Sequence, residues 1–223
     1  MLTYFGVERG IDQLPADVWP TGMAPFIRLA EPGSRSEFQV DDGLFGLLPH
    51  FVAEIAKGRR TYNARSETVA QLPSFRESWA KGWRCIIPAE AVYEPYYHPD
   101  GRCERWMIHQ PDLRPMGLAG IYRKWRHPDG REVFTFAMLT VNADDHPFYS
   151  RFHAPGEEKR MIVILDPADY GAWLSCPVAE APRYLRQWQG ELLAEPRPLP
   201  PRAPRAVSGR VVVPPAPRSG ELF

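Results

Sequence analysis

The sequence predicts an α+β fold, compact and mainly antiparallel β with a barrel-like sheet and a few peripheral helices. Short apolar runs rich in β-branched and aromatic residues recur at close intervals along the chain. Turn chemistry separates them, and the stretches with helical period are few and short. No repeat of solenoid period is present. With 44% hydrophobic residues and 7 Trp, 9 Tyr and 11 Phe in 223 residues, the chain as a whole is not disordered and is long enough to bury a sizeable core.

The elements follow in order. Met1 to Val7 read as the end of a short helix, with Leu2, Phe5 and Val7 on one side; Gly6 weakens it and Gly10 stops it. Phe26 to Leu29 form a strand whose hairpin partner, Glu37 to Val40, lies across a Gly/Ser-containing turn. Asp41-Asp42-Gly43 reads as a turn into a loop, Leu44 to Pro49, with exposed apolar residues. Phe51 to Lys57 and Pro73 to Lys81 are read as helices. Arg84 to Pro88, Ala91 to Glu94, Trp106 to His109, Gly117 to Tyr122 and Val133 to Val141 are read as strands, the last two joined by the turn His127-Pro-Asp-Gly-Arg131. Met161 to Leu165 is a single, fully buried strand. Two helices follow, Pro167 to Leu174, capped by Asp166, and Pro182 to Trp188. From Pro196 the chain is rich in Pro and Arg, so the domain spans 1–195 and 196–223 is an extended tail, ordered at most where Val211 to Val213 dock.

The 27 basic and 27 acidic residues give zero net charge, which argues against a generally polybasic protein but allows a local basic groove. Cys85, Cys103 and Cys176 are widely spaced and odd in number, so neither a disulfide framework nor a zinc site is indicated. Without a secretory signal or an apolar run of membrane length, the expected location is the cytoplasm. The histidines lack metal-ligand spacing, and the chain carries no phosphate loop, dinucleotide fingerprint or nucleophile elbow, so no metal and no cofactor are expected.

Four polar groups can carry chemistry. Asn63-Ala-Arg-Ser-Glu-Thr68 is a dense polar hexamer between apolar segments, a pattern that turns and helix caps also produce. Glu94 ends an apolar strand and precedes Pro95-Tyr96-Tyr97; a carboxyl among aromatics is desolvated and its pKa rises, which suits a general acid or base. His153 stands in a loop just before the most buried strand, where an imidazole can move protons near neutral pH. Lys159 and Arg160, with Arg65, can form a small phosphate-binding patch. Each of these groups also has a plain reading as solvated surface.

Their order along the chain is more telling than any one of them. Asn63-Ala-Arg-Ser-Glu-Thr, Arg84-Cys-Ile-Ile-Pro-Ala-Glu-Ala-Val-Tyr-Glu94, Gly117-Leu-Ala-Gly-Ile-Tyr, Thr140-Val-Asn-Ala and His153 with Glu158-Lys-Arg-Met-Ile-Val-Ile-Leu resemble the SOS-response-associated peptidase (SRAP) family from about Asp17 to Leu174. Trp19-Pro-Thr-Gly-Met-Ala-Pro25 is similar to that family's early Ala-Pro turn. The resemblance implies a DNA-damage-response protein that binds single-stranded DNA and forms a covalent link to abasic sites through an N-terminal cysteine exposed by autoproteolytic removal of a leader. By position, Asn63 orients that cysteine, Glu94 handles proton transfers at the amine and in leader removal, and His153 exchanges a proton with the sugar oxygen. Arg65 holds the phosphate beside the lesion, with Lys159 or Arg160 as further candidates. The partner is thus single-stranded DNA containing abasic sites; no membrane is involved, and the expected state is a monomer.

The first residues depart from that pattern. Position 2 is Leu, and an internal cysteine has no free α-amine, so the expectation is a chain begun at an internal Met, on the order of 15 residues short, about one strand and the start of a helix. The rival expectation is a member that has lost the nucleophile and only binds single-stranded DNA. A general peptidase or hydrolase acting through Glu94 and His153 ranks below both, since no serine or internal cysteine is paired with a base. The His loop departs too, with Ala154 to Lys159 separating His153 from Arg160 and Met161.

Overall fold

The structure, a computed structural model, describes residues 1–7, 16–30 and 37–199. Its centre is a ring of five strands: β1 (Met23–Leu29), β2 (Phe38–Phe45), β4 (Arg84–Ala89), β7 (Met116–Arg126) and β8 (Glu132–Asn142). The order β7-β4-β1-β2-β8 closes on itself because β7 and β8 also pair, from Gly120↔Met138 to Arg126↔Glu132. All of these contacts are antiparallel except β2–β8, where Gly43 to Phe45 run parallel to Phe134 to Phe136. β3 (Asn63–Arg65) extends the sheet beyond β8, also in parallel. The mainly antiparallel, barrel-like expectation holds.

Packing explains the closure. Phe26, Phe45, Tyr122 and Phe136 meet at ring-centroid separations of 5.4–5.6 Å, and burial of such side chains contributes a few kcal/mol each, on the order of 2–3. Gly43 keeps that interior tight, since a Cβ there would come within 2.9 Å of both Phe26 and Phe136. Outside the ring, α1 (Arg76–Ala80) and α2 (Tyr170–Ser175) lie against the sheet, and Trp173 of α2 donates from Nε1 to the Cys85 carbonyl at 2.9 Å. A second sheet, β5 (Val92–Tyr97), β6 (Cys103–His109) and β11 (Leu193–Pro196), stands beside the barrel.

Several expectations change. Asp41 to Phe45 is strand, and Leu47 and Leu48 are fully buried, because β2 runs on to pair with both β1 and β8. The turn before β1 falls at Trp19–Gly22, where Gly22 N–H donates to the Trp19 carbonyl, while Ala24-Pro25 lies within the strand. Pro25 is tolerated there because β1 meets β4 only at Ile27↔Ile86, leaving no ladder acceptor waiting on that edge. The helix read at Phe51 to Lys57 is a 3₁₀ segment at Ile55–Arg60. The one buried strand Met161 to Leu165 is two, β9 (Arg160–Ile162) on β8 and β10 (Ile164–Leu165) on β7. The last helix falls earlier, as a 3₁₀ segment at Val178–Tyr184 that contains Pro182. β11 carries regular pairing through Pro196. The first segment is a 3₁₀ turn, Leu2–Phe5, ended by Gly6 at φ 69° with Leu2, Phe5 and Val7 buried. Gly10, the Gly/Ser turn and the tail from residue 200 lie outside the described residues.

Candidate functional site

The site forms where the small sheet meets the barrel. Strand alternation puts Val92, Glu94 and Tyr96 on one face of β5, with Trp106 opposite Glu94 on β6. Tyr96 stacks on Trp106 at 4.5 Å and meets Phe152 at 6.2 Å, and Tyr96 and Phe152 also form an isolated backbone bridge. That bridge carries the next residue to its place: His153 N–H donates to the Pro95 carbonyl at 2.9 Å. His153 takes a left-handed backbone, φ 63°, a strained conformation for a residue with a Cβ.

Glu94 Oε2 and His153 Nε2 lie 3.6 Å apart, with the two side chains 11% and 20% exposed. Burial pushes the Glu94 carboxyl up to about 8, so at neutral pH it holds a proton that it can donate. His153 Nε2 is 2.9 Å from the Arg160 carbonyl. A carbonyl only accepts, so Nε2 carries the hydrogen and Nδ1 is the nitrogen left to take a proton. The pair thus offers an acid and a base side by side. Tyr149, fully buried, adds a hydroxyl with no hydrogen-bond partner among the described residues; burial raises its pKa strongly, and the ionised form of Glu94 raises it further.

The cations sit around β8. Thr140 pairs with Arg65 of β3 on one side and with Ile162 of β9 on the other, which brings residues nearly a hundred positions apart to one strand. Arg160 forms a two-pronged ion pair with Glu67, Nη1–Oε1 3.0 Å and Nη2–Oε2 2.9 Å, and also donates to the carbonyl and hydroxyl of Thr140. Burial opposes the charge on Arg160, but Glu67 and Glu158 outweigh it and raise its pKa. Glu158 accepts from Arg65 Nη1 at 2.8 Å, from Arg160 Nη1 at 2.6 Å and from Asn142 Nδ2 at 3.2 Å.

The six residues singled out in the sequence fall into two pairs and two single residues. Glu94 and His153 are brought together, and the Arg160 carbonyl ties that pair to the cations. Arg65 and Arg160 converge through Glu158. Lys159 instead turns its Nζ to the carbonyls of His153 and Ala154, at 3.2 and 2.7 Å, and so braces the loop. Asn63 is exposed on β3, two residues from Arg65 and on the same face of the strand. Tyr149, Glu67, Asn142 and Glu158 were not assigned roles from the sequence. Glu67 stands inside the polar hexamer and Asn142 inside Thr140-Val-Asn-Ala, so both were within view; Tyr149 carries no signal beyond four residues' spacing from His153.

A closed barrel with a side sheet, joined at a buried Glu–His pair beside a paired-arginine patch, is a defined architecture. The chain matches the SOS response associated peptidase (SRAP) family over residues 9–196 and belongs to it. Among its relatives, the Bacillus subtilis abasic site processing protein YoqW is 32% identical over 143 residues, 64% of this chain and 59% of that protein. The chicken abasic site processing protein HMCES is 27% identical over 185 residues, covering 70% of this chain and 52% of HMCES. The match therefore spans between half and three-fifths of these curated relatives. A crystal structure of a protein from Bordetella bronchiseptica superposes with a TM-score of 0.76 at 36% identity, covering 85% of this chain and 90% of that one. One from Bacteroides thetaiotaomicron superposes at 0.63 with 25% identity, over 79% and 74%. No helix among the described residues is long and apolar enough to cross a membrane.

Proposed function

We propose that this protein recognises abasic sites in single-stranded DNA and that Glu94 and His153 carry the proton transfers of a covalent link to the lesion. The observation that carries this reading is the Glu94–His153 pair, a protonated carboxyl at neutral pH 3.6 Å from an imidazole, in a family whose named relatives process abasic sites. An abasic sugar opens to an aldehyde. An α-amine adds to it, and the carbinolamine loses water as Glu94 protonates the departing hydroxyl. A thiol on the adjacent carbon then adds to the C=N bond and closes a thiazolidine, so aldehyde and aminothiol give ring and one water. His153 Nδ1 exchanges the proton of the sugar oxygen during ring opening. Asn63 orients the nucleophile, and the same Glu94 serves in autoproteolytic exposure of an N-terminal cysteine.

Cys85, Cys103 and Cys176 are internal and have no α-amine to offer, so the covalent step requires a cysteine at a free N-terminus. The test is to express the protein from its genomic reading frame, with any codons upstream of Met1, and mix it with single-stranded DNA holding one abasic site. A denaturation-stable adduct, lost in Glu94→Gln, is expected where an N-terminal cysteine is present. No adduct from such a protein overturns the covalent reading. Salt-sensitive binding without an adduct would leave a non-catalytic single-strand-binding module. A monomer in the cytoplasm completes the proposal.

A further inference from the structure

Three side-chain donors converge at one place on the surface, and the protein's own carboxylate fills it. Arg65 from β3, Arg160 from β9 and Asn142 from β8 all donate to Glu158, which is 35% exposed at the end of the His loop. The residue that follows it is fixed: Lys159 N–H donates to Asp144 Oδ1 at 2.7 Å and Ala143 N–H to the Lys159 carbonyl at 2.8 Å. On the other side, Gly156 has a left-handed φ of 80°, and no atom lies within 4 Å of where its Cβ would be. With its side chain open to solvent and the Lys159 and His153 backbones held, Glu158 has room to turn outward while β9 and His153 stay in place.

We propose that Glu158 holds the place of a DNA phosphate between Arg65 and Arg160 and leaves when the strand binds. A phosphodiester carries the same single negative charge as the carboxylate and presents two oxygens to the same three donors, so the exchange is one anion for another. Glu67 keeps its two-pronged hold on the far edge of Arg160 throughout, which fixes the guanidinium with its Nη1 turned to the exchange position. The consequence is an affinity set by competition. Single strands lacking further contacts in the site do not displace Glu158, and those that fill the site do.

This inference rests on the single-stranded DNA reading, and its test separates the two. Binding of a labelled short single strand with a stable abasic analogue would be followed by fluorescence anisotropy for the full chain. The set comprises the wild type, Glu158→Ala, Glu158→Gln, Arg65→Ala and the Arg65→Ala/Glu158→Ala double variant. Removing the competing carboxylate should tighten binding about ten-fold, the scale of one charge-assisted hydrogen bond, and the gain should be greater for Ala than for Gln. In the Arg65→Ala background the gain should largely vanish, since the cradle is then incomplete. Unchanged or weaker binding by both Glu158 variants, with wild-type melting temperatures, overturns the exchange and leaves the DNA reading standing. Absence of binding by every variant overturns both.

Discussion

At the residue scale the decisive quantity is the desolvation of Glu94. A carboxyl whose native pKa is raised from 4.5 to about 8 binds its proton more tightly folded than unfolded. Its contribution is therefore fully present below the unfolded pKa and is lost as pH rises through the native one. Thermal melts from pH 5 to 9 should show the wild type losing stability relative to Glu94→Gln across that window, by up to a few kcal/mol, on the order of 3–5. A constant difference between the two proteins across that range would place Glu94 in water. Tyr149 makes the opposite kind of prediction. Its buried hydroxyl has no partner among the described residues, so Tyr149→Phe should raise stability by about 1 kcal/mol; a loss of that size in urea titrations would show the hydroxyl bonded. Glu94 was readable because a carboxyl at the end of an apolar strand beside two tyrosines is a local pattern. The unpartnered state of Tyr149 was not readable, since it depends on β5 arriving from about 55 residues earlier in the chain.

At the element scale, strands with turn residues at both ends were legible, as β4, β7 and β8 show. Those whose partners lie far away were not. Met161 to Leu165 reads as one apolar run because both β9 and β10 are buried, yet Val163 between them breaks the ladder, its N–H donating to the Leu139 carbonyl. Leu44 to Pro49 reads as a loop because Gly43 and Gly46 punctuate it, whereas both glycines serve close packing. Gly46 has φ 132°, and a Cβ there would lie 2.4 Å from the Gly58 carbonyl oxygen. Gly46→Ala is therefore expected to cost about 2–5 kcal/mol, from left-handed strain and backbone overlap together. Gly171, inside α2 with only Phe38 as near as 4.0 Å, is the contrast. Gly171→Ala should stabilise by about 0.5–1 kcal/mol through helix propensity. A fall in the denaturant midpoint of Gly171→Ala would contradict the account of α2, and an unchanged or raised midpoint in Gly46→Ala that of the close approach.

At the scale of the whole molecule, barrel and side sheet meet through aromatic rings, and the site is built on that seam. A barrel-like form followed from the number and spacing of strands, and the β7–β8 hairpin from its turn; closure did not, because it depends on β2 joining β8 in parallel, which no local turn announces. The seam was even less visible, for in sequence Phe152 is only the neighbour of His153. In the fold it is fully buried, bridges Tyr96, and lies within 6.3 Å of Trp106, Phe148 and Tyr149. If the side sheet keeps water from Glu94 by this contact, loosening Phe152 must lower the Glu94 pKa as well as the stability. Phe152→Ala should cost about 3–5 kcal/mol, and the milder Phe152→Leu keeps a folded protein in which the carboxyl can be followed. Carbon-detected NMR titration of Glu94 should then show its midpoint falling from about 8 toward 4.5, with the pH limb of adduct formation moving the same way. A midpoint left near 8 in a measurably destabilised Phe152→Leu would assign the desolvation to β5 and β6 alone, and the seam would be a matter of stability without a share in the chemistry.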